Sequence, residues 1–184
     1  MRYYNIIWLL ILVSICACNA KHEPTTRENA FNAYRLEQII SDIAENNIIE
    51  GENVGIAGSR STQRVRYKVL NKLASDDELI SLTYHTNPVV RYYSFRALVS
   101  RNSSKVFDIL VRHMNDTATK VQTLSGCIGF THTLRCELIA AANSEDSESD
   151  GFHLNDVQSH LIDSISEKYP DPFLNQVKFK LNLN

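Results

Sequence analysis

The chain has 184 residues, carries 19 Lys and Arg against 21 Asp and Glu for a formal charge of −2, and is 43% hydrophobic. That length fits one ordinary domain and excludes a large multidomain enzyme, and the near-neutral balance carries none of the basic footprint that marks a nucleic-acid-binding domain. With only 6 Gly and 4 Pro, the chain is neither collagen-like nor of low complexity, and its apolar content suffices for a folded core.

The first element is an address. Arg2 supplies one positive charge, Ile6 to Ile15 is almost wholly apolar, and a small-residue stretch, Cys16-Ala17-Cys18-Asn19-Ala20, follows. A bilayer-spanning helix needs about 20 apolar residues, twice this run, so the layout predicts a cleaved signal peptide over residues 1–17. Ile15-Cys16-Ala17-Cys18 resembles the lipobox of bacterial lipoproteins. The resemblance implies that Cys18 becomes the mature N-terminus and is lipidated, its sulfur attacking a diacylglycerol donor. A secretory peptide without lipid is the alternative. Acyl burial contributes about 0.8 kcal/mol per methylene, and two or more chains anchor stably. Asn19 stands where an Asp would resemble the inner-membrane retention signal, which implies the outer membrane and leaves the leaflet open. Cleavage removes Arg2 and no acid, so the mature chain is the more acidic.

Residues 18–26, polar and Pro-containing, read as a tether. Thr25 with Glu28 has the spacing of a capping box, and Phe31, Tyr34, Leu36, Ile39, Ile40, Ile43 and Ala44 recur at helical spacing, predicting a helix over 27–45. Gly51, Gly55 and Gly58 make 46–63 a loop, the segment best suited to a flexible or functional role. Helices are then predicted over 64–74; over 77–85, with a capping box at Ser75 and Glu78; over 89–101, after a turn at Thr86-Asn87-Pro88; over 105–114; and from Asp116 to about Ser125. No strand is expected between 64 and 125. A helix over 133–142, a Ser-rich acidic loop over 143–150, a helix over 155–169 and a short last helix near 173–181 complete the pass.

Asn87-Pro88-Val89-Val90-Arg91-Tyr92-Tyr93-Ser94-Phe95-Arg96-Ala97-Leu98 resembles the first helix of a HEAT-type repeat. A second copy fits at Asp116, Val121, Leu124, Ser125 and Ile128, and a third at Val65-Arg66, Val69 and Leu73. Gln122 departs from the expected Arg, and Gly126 stands where Leu70 and Phe95 stand in the other registers, so the last repeat helix ends early or bends. A single repeat cannot bury its apolar face alone. The expected architecture is therefore an all-α, HEAT-like α-solenoid of about three helix pairs over 64–142 within one domain, 27–184, closed by a C-terminal cap over 155–181. The resemblance implies that Arg66 and Arg91 pair with turn acids of neighbouring repeats.

No catalytic constellation is present. The three glycines are not followed by Lys-Ser or Lys-Thr, and neither Gly-x-Ser-x-Gly nor His-Glu-x-x-His occurs. Cys127 and Cys136 admit a disulfide, as an oxidising compartment favours, or two reduced thiols; with His132 and His113 they also admit a metal site. On one continuous helix nine positions span about 13 Å, too far to bond, so a turn at Gly129 decides between these. Tyr84, His85, Asp108, Arg112 and His113 lie on the helix layer that lines the binding face of such arrays, with helix-end stabilisation the alternative role for the two histidines. Asp116-Thr117-Ala118 and Asp163-Ser164-Ile165 resemble the O-glycosylation acceptor of some Bacteroidetes envelope proteins. The expectation is a non-enzymatic envelope lipoprotein that binds a protein partner and needs no cofactor. An envelope enzyme or enzyme accessory and a toxin-immunity protein are the rivals.

Overall fold

The computed structural model describes residues 26–143, 151–171 and 173. The expected signal peptide, Cys18, the tether up to residue 25, the acidic run after residue 143 and the expected last helix lie outside them. The chain divides between Ala33 and Tyr34 into two units. Of the first, only the opening turns of a helix are described.

That helix, α1, spans Thr26–Asn46, and Ile49–Val54 forms β1 and Ser59–Arg60 forms β2. Four helices follow: α2 (Thr62–Leu73), α3 (Asp76–Leu82), α4 (Pro88–Ser100) and α5 (Val106–His113). Strands β3 (Lys120–Gly126) and β4 (Ile128–Thr133) come next, then α6 (Leu134–Asn143) and α7 (Asp156–Lys168). No described helix is long and apolar enough to cross a membrane.

The helix starts obey local chemistry. The Ser61 side chain accepts from Arg64 N at the head of α2, Ser75 and Glu78 close a reciprocal capping box on α3, and Asn155 with Gln158 does the same for α7. Each satisfies backbone donors that the first turn leaves without partners. At α4, Asn87 accepts from Val89 N and Val90 N, and Pro88 fills the first position, where its missing N–H costs nothing.

Helix α4 is the axis of the core. Val89, Val90, Tyr92, Tyr93, Ser94, Phe95, Ala97, Leu98 and Val99 are all buried, a girdle too wide for a helix with a solvent face. It packs against α2, α3, α5 and α6 and reaches β3. Burying each large apolar side chain contributes roughly 1.5–3 kcal/mol, which makes this helix the main apolar anchor of the fold.

The predominantly helical expectation holds, with helices close to the expected spans 64–74, 77–85, 89–101 and 105–114; the all-α expectation does not. Four strands form one mixed sheet in the order β2-β1-β3-β4. Strand β1 pairs antiparallel with β2 and parallel with β3, Ile49 opposite Thr123, so part of the expected loop over 46–63 is strand. Strands β3 and β4 form a hairpin with Val121 opposite His132 and Ser125 opposite Ile128. The repeat register at Asp116, Val121, Leu124, Ser125 and Ile128 therefore lies on a hairpin and not on a helix. Gly126, with φ 56°, explains the difference: it supplies the left-handed residue that a two-residue hairpin turn requires, and the chain reverses where the repeat would continue.

Candidate functional site

Three of the five expected contact residues come together where α3 and α5 end. Tyr84 follows α3, its N–H donating to Ser81 O at 3.1 Å. It is 52% exposed, and its hydroxyl accepts from Arg112 Nη1 at the end of α5. The His113 ring lies beneath it, the ring centroids 6.0 Å apart. Asp108 is exposed one turn earlier on α5. His85 serves the backbone instead: its Nδ1 accepts from Asn87 N at 3.0 Å in the turn before α4.

His113 is buried, and its Nε2 has no hydrogen-bond partner among the described residues. Burial holds its pKa below the ordinary value; the Arg91 guanidinium pushes the same way, and the Asp116 carboxylate opposes both. The neutral imidazole therefore supports Tyr84 from below and does not serve the α5 dipole as an imidazolium. Arg91 lies 3.6 Å from Asp116. Arg66 donates instead to Gln63 Oε1 at 3.0 Å and lies 3.9 Å from Asp42 on α1.

The two described cysteines are both free thiols, Cys127 exposed and Cys136 buried, so the disulfide admitted by their spacing is absent. Cys127 occupies the β3–β4 turn and Cys136 sits in α6. The six extended residues of β4 between them reach about 20 Å, against the roughly 7 Å limit between bonded Cα atoms. Among the described residues no group of three or more His, Cys, Asp or Glu side chains is placed to hold a metal ion.

A second polar cluster, not anticipated from the sequence, is built around Arg135. Its side chain and that of Asp171 are each 0% exposed, with Nη2 3.1 Å from Oδ2. Arg135 Nη1 donates to Met114 O at 2.9 Å and to Tyr169 O at 2.7 Å. The Thr133 hydroxyl donates to Asp171 Oδ2 at 2.5 Å, and the Cys136 thiol approaches the same oxygen at 3.5 Å. Next to it His132 Nδ1 meets Glu137 Oε1 at 2.5 Å, with the Phe130 ring stacked on the imidazole.

Cysteine, histidine and aspartate here do not form a nucleophilic set. Burial pushes the Cys136 pKa up to about 12, so the sulfur stays a neutral thiol, and its partner Asp171 is engaged by Arg135. The cluster is a clamp that fastens Tyr169 and Asp171 to the end of the hairpin and the start of α6. Asp171, set between Pro170 and Pro172, gave no signal beyond a helix stop, and Arg135 sits in a helix whose other residues read as ordinary core.

A third tie joins β1 to the helices. The Glu50 carboxylate accepts from the Ser61 hydroxyl at 2.6 Å, while Glu50 N donates to Tyr93 Oη at 3.0 Å. The Tyr67 and Tyr93 rings pack at 5.7 Å, and Arg96 donates to Tyr92 Oη at 3.1 Å. These groups are satisfied by one another, whereas the Tyr84–Arg112 pair is set toward solvent, as is Lys168 over the Tyr169 ring. No protein family, no curated protein and no solved structure matches the chain.

Proposed function

We propose that the protein is a lipoprotein of the bacterial envelope, anchored through Cys18, probing its surroundings with a helical domain that binds another protein and performs no chemistry of its own. The anchor rests on the lipobox-like Ile15-Cys16-Ala17-Cys18, and the outer membrane on Asn19. The pairs α2–α3 and α4–α5 are read as two HEAT-like units, a reading supported by the Arg91–Asp116 pair.

The observation that carries the binding role is Tyr84 hydrogen-bonded to Arg112 on a supported, solvent-facing site. Tyrosine and arginine are the residue types that most often dominate interface energetics, because each joins a large contact area to directed hydrogen bonds. Here the Arg112 contact holds Tyr84 in place before binding, which lowers the entropy lost on association.

The test is a crosslinking pull-down from native envelopes with the intact protein, a Cys18→Ala form and a Tyr84→Ala/Arg112→Ala form. The intact protein is expected to retain one stoichiometric partner, and the double variant to lose it by at least tenfold with its melting temperature preserved. Labelling with a palmitate analogue should mark the intact chain and not the Cys18→Ala form. Recovery of no partner with any form, or equal recovery with the double variant, refutes the binding role.

A further inference from the structure

The two turns at one end of the sheet are joined to each other. The β1–β2 turn, Gly55-Ile56-Ala57-Gly58, is closed by Gly58 N donating to Gly55 O at 3.1 Å, and Gly55 N donates across to Gly126 O at 2.8 Å, at the head of the β3–β4 turn. Val54 stands opposite Gly126 in the parallel pair, so the two turns end level. Gly55, Gly58 and Gly126 have φ of 75°, 63° and 56°, the left-handed region that glycine alone enters freely. A Cβ on any of the three would meet nothing within 4 Å among the described residues, so the turns stand clear of the packed core.

What they carry is apolar. Ile56 is 98% exposed and Ile128 56% exposed, each within two residues of the Gly55–Gly126 bond, and Ala57 and Cys127 next to them in the chain are exposed as well. Turn positions are ordinarily filled by Gly, Pro, Asn, Asp or Ser, each for a local reason; a β-branched Ile56 has no such reason, and the fold gives it nothing to pack on. No Asp, Glu, Lys or Arg occurs between Glu52 and Arg60 or between Lys120 and Arg135, in a chain that is 22% charged. An uncharged tip gives a protein partner no electrostatic register, whereas the apolar part of a bilayer penalises charge and asks for none.

Building on the reading that Cys18 carries a lipid, we propose that the joined turns are a membrane tip: Ile56, Ala57 and Ile128 enter the boundary between headgroups and acyl chains of the bilayer that holds the anchor. Residues 18–25 span at most about 29 Å, which keeps Thr26 within that distance of the lipid. Arg60 lies two residues and Glu52 three residues from the first turn, about 7 and 10 Å at the rise of a strand. A depth of about 5–10 Å, that of interfacial segments, therefore leaves both charges at the headgroups. Backbone groups entering an apolar medium need partners, and Gly55 N and Gly58 N already have theirs. Two isoleucines bind a bilayer weakly by themselves; beside an anchor that supplies a high effective concentration, they fix one orientation of the protein on the membrane.

The test places a fluorophore on Cys127, the exposed thiol of the tip, in the lipidated protein reconstituted into phosphatidylcholine vesicles; Cys136 is buried and stays unlabelled. Phospholipids brominated at the top of the acyl chain are expected to quench this label at least threefold more in the wild type than in Ile56→Asp/Ile128→Asp. They should also quench it at least threefold more than a label on Ser104→Cys, exposed in the α4–α5 turn, in a Cys127→Ser chain. No quenching in the wild type, equal quenching in the variant, or equal quenching at residue 104 overturns the proposal. So does shielding of Cys127 without vesicles that grows with protein concentration, since a second copy would then cover the tip. Should the double variant melt early, Ile56→Asp alone decides, because the fold leaves that side chain in water. A protein whose mass shows no lipid refutes the anchor and not the tip, which is then read with the same labels on the chain from Asn19, held on vesicles through an N-terminal His tag and a nickel-chelating lipid.

Discussion

Replacing Asp171 with Ala removes the counter-charge of a guanidinium that has no access to water. Arg135 and Asp171 are both 0% exposed and 3.1 Å apart, and the same carboxylate is the acceptor for the Thr133 hydroxyl and the near neighbour of the Cys136 thiol. Breaking one side of a buried ion pair costs about 3–5 kcal/mol, because the remaining charge stays desolvated. Arg135 Nη1 keeps Met114 O and Tyr169 O as acceptors, which places Asp171→Ala near the middle of that range, about 4 kcal/mol. In a domain of about 150 residues each kcal/mol moves Tm by about 2–4 °C, so a fall of roughly 8–16 °C is expected. Arg135→Met/Asp171→Leu removes both charges and should recover most of the loss, since an apolar replacement of a buried pair is often neutral or better. Urea unfolding followed by far-UV circular dichroism gives the free energies, and a thermal scan gives the fall in Tm. A cost below about 1 kcal/mol for Asp171→Ala, or a double variant no more stable than the worse single, refutes the clamp.

Three further outcomes follow from the same geometry. In a chain carrying only Cys127 and Cys136, a thiol reagent should modify Cys127 at once and Cys136 at least about a thousandfold more slowly, through unfolding; two slow sites would indicate a bond between them. Because burial and Arg91 hold the His113 pKa below its ordinary 6.5, the folded state favours the neutral ring. Its contribution to stability is complete above the unfolded pKa and lost as pH falls toward the folded one. The urea midpoint should therefore drop more between about pH 7.5 and pH 5.5 for the wild type than for His113→Gln, and parallel profiles would contradict this. Asn87→Ala removes the cap on Val89 N and Val90 N and the bonds to Ala44 O and Asn47 Oδ1, an expected loss of about 1–2 kcal/mol by chemical denaturation.

The helices were legible because their signals are local. The Ser75–Glu78 box, Asn87-Pro88 and the apolar recurrence in α1 each lie within a few residues of the element they announce. The sheet was not, for reasons visible in β3. Only Val121 is buried along it; Thr123 on the same face is half-buried and Ser125 is exposed, a face too polar to display a period of two, and its parallel partner β1 lies more than sixty residues upstream, where no local pattern can announce it. One clue was present: Gly126 occupies a repeat position that calls for a large apolar residue, and the misfit marked a chain reversal. In the candidate site, Tyr84 and Arg112 were singled out by the helix layer they share and their side chains meet, while His113, singled out with them, is buried. The Arg135–Asp171 clamp joins residues from two separate segments, and nothing in either segment names the other.

The pairing of Ile49 with Thr123 also bears on the order of events during folding. Everything between them, α2 to α5, must be gathered before β1 and β3 can meet, since closing so long a loop gains nothing until the intervening core has formed. The helical centre around α4 is then structured in the transition state and the parallel strand pair closes late. Substitutions at Leu98 should slow refolding, while those at Ile49 should chiefly hasten unfolding. The lifetime of the folded molecule is thereby set at the seam between β1 and β3, away from the helix that buries more apolar side chains than any other described helix.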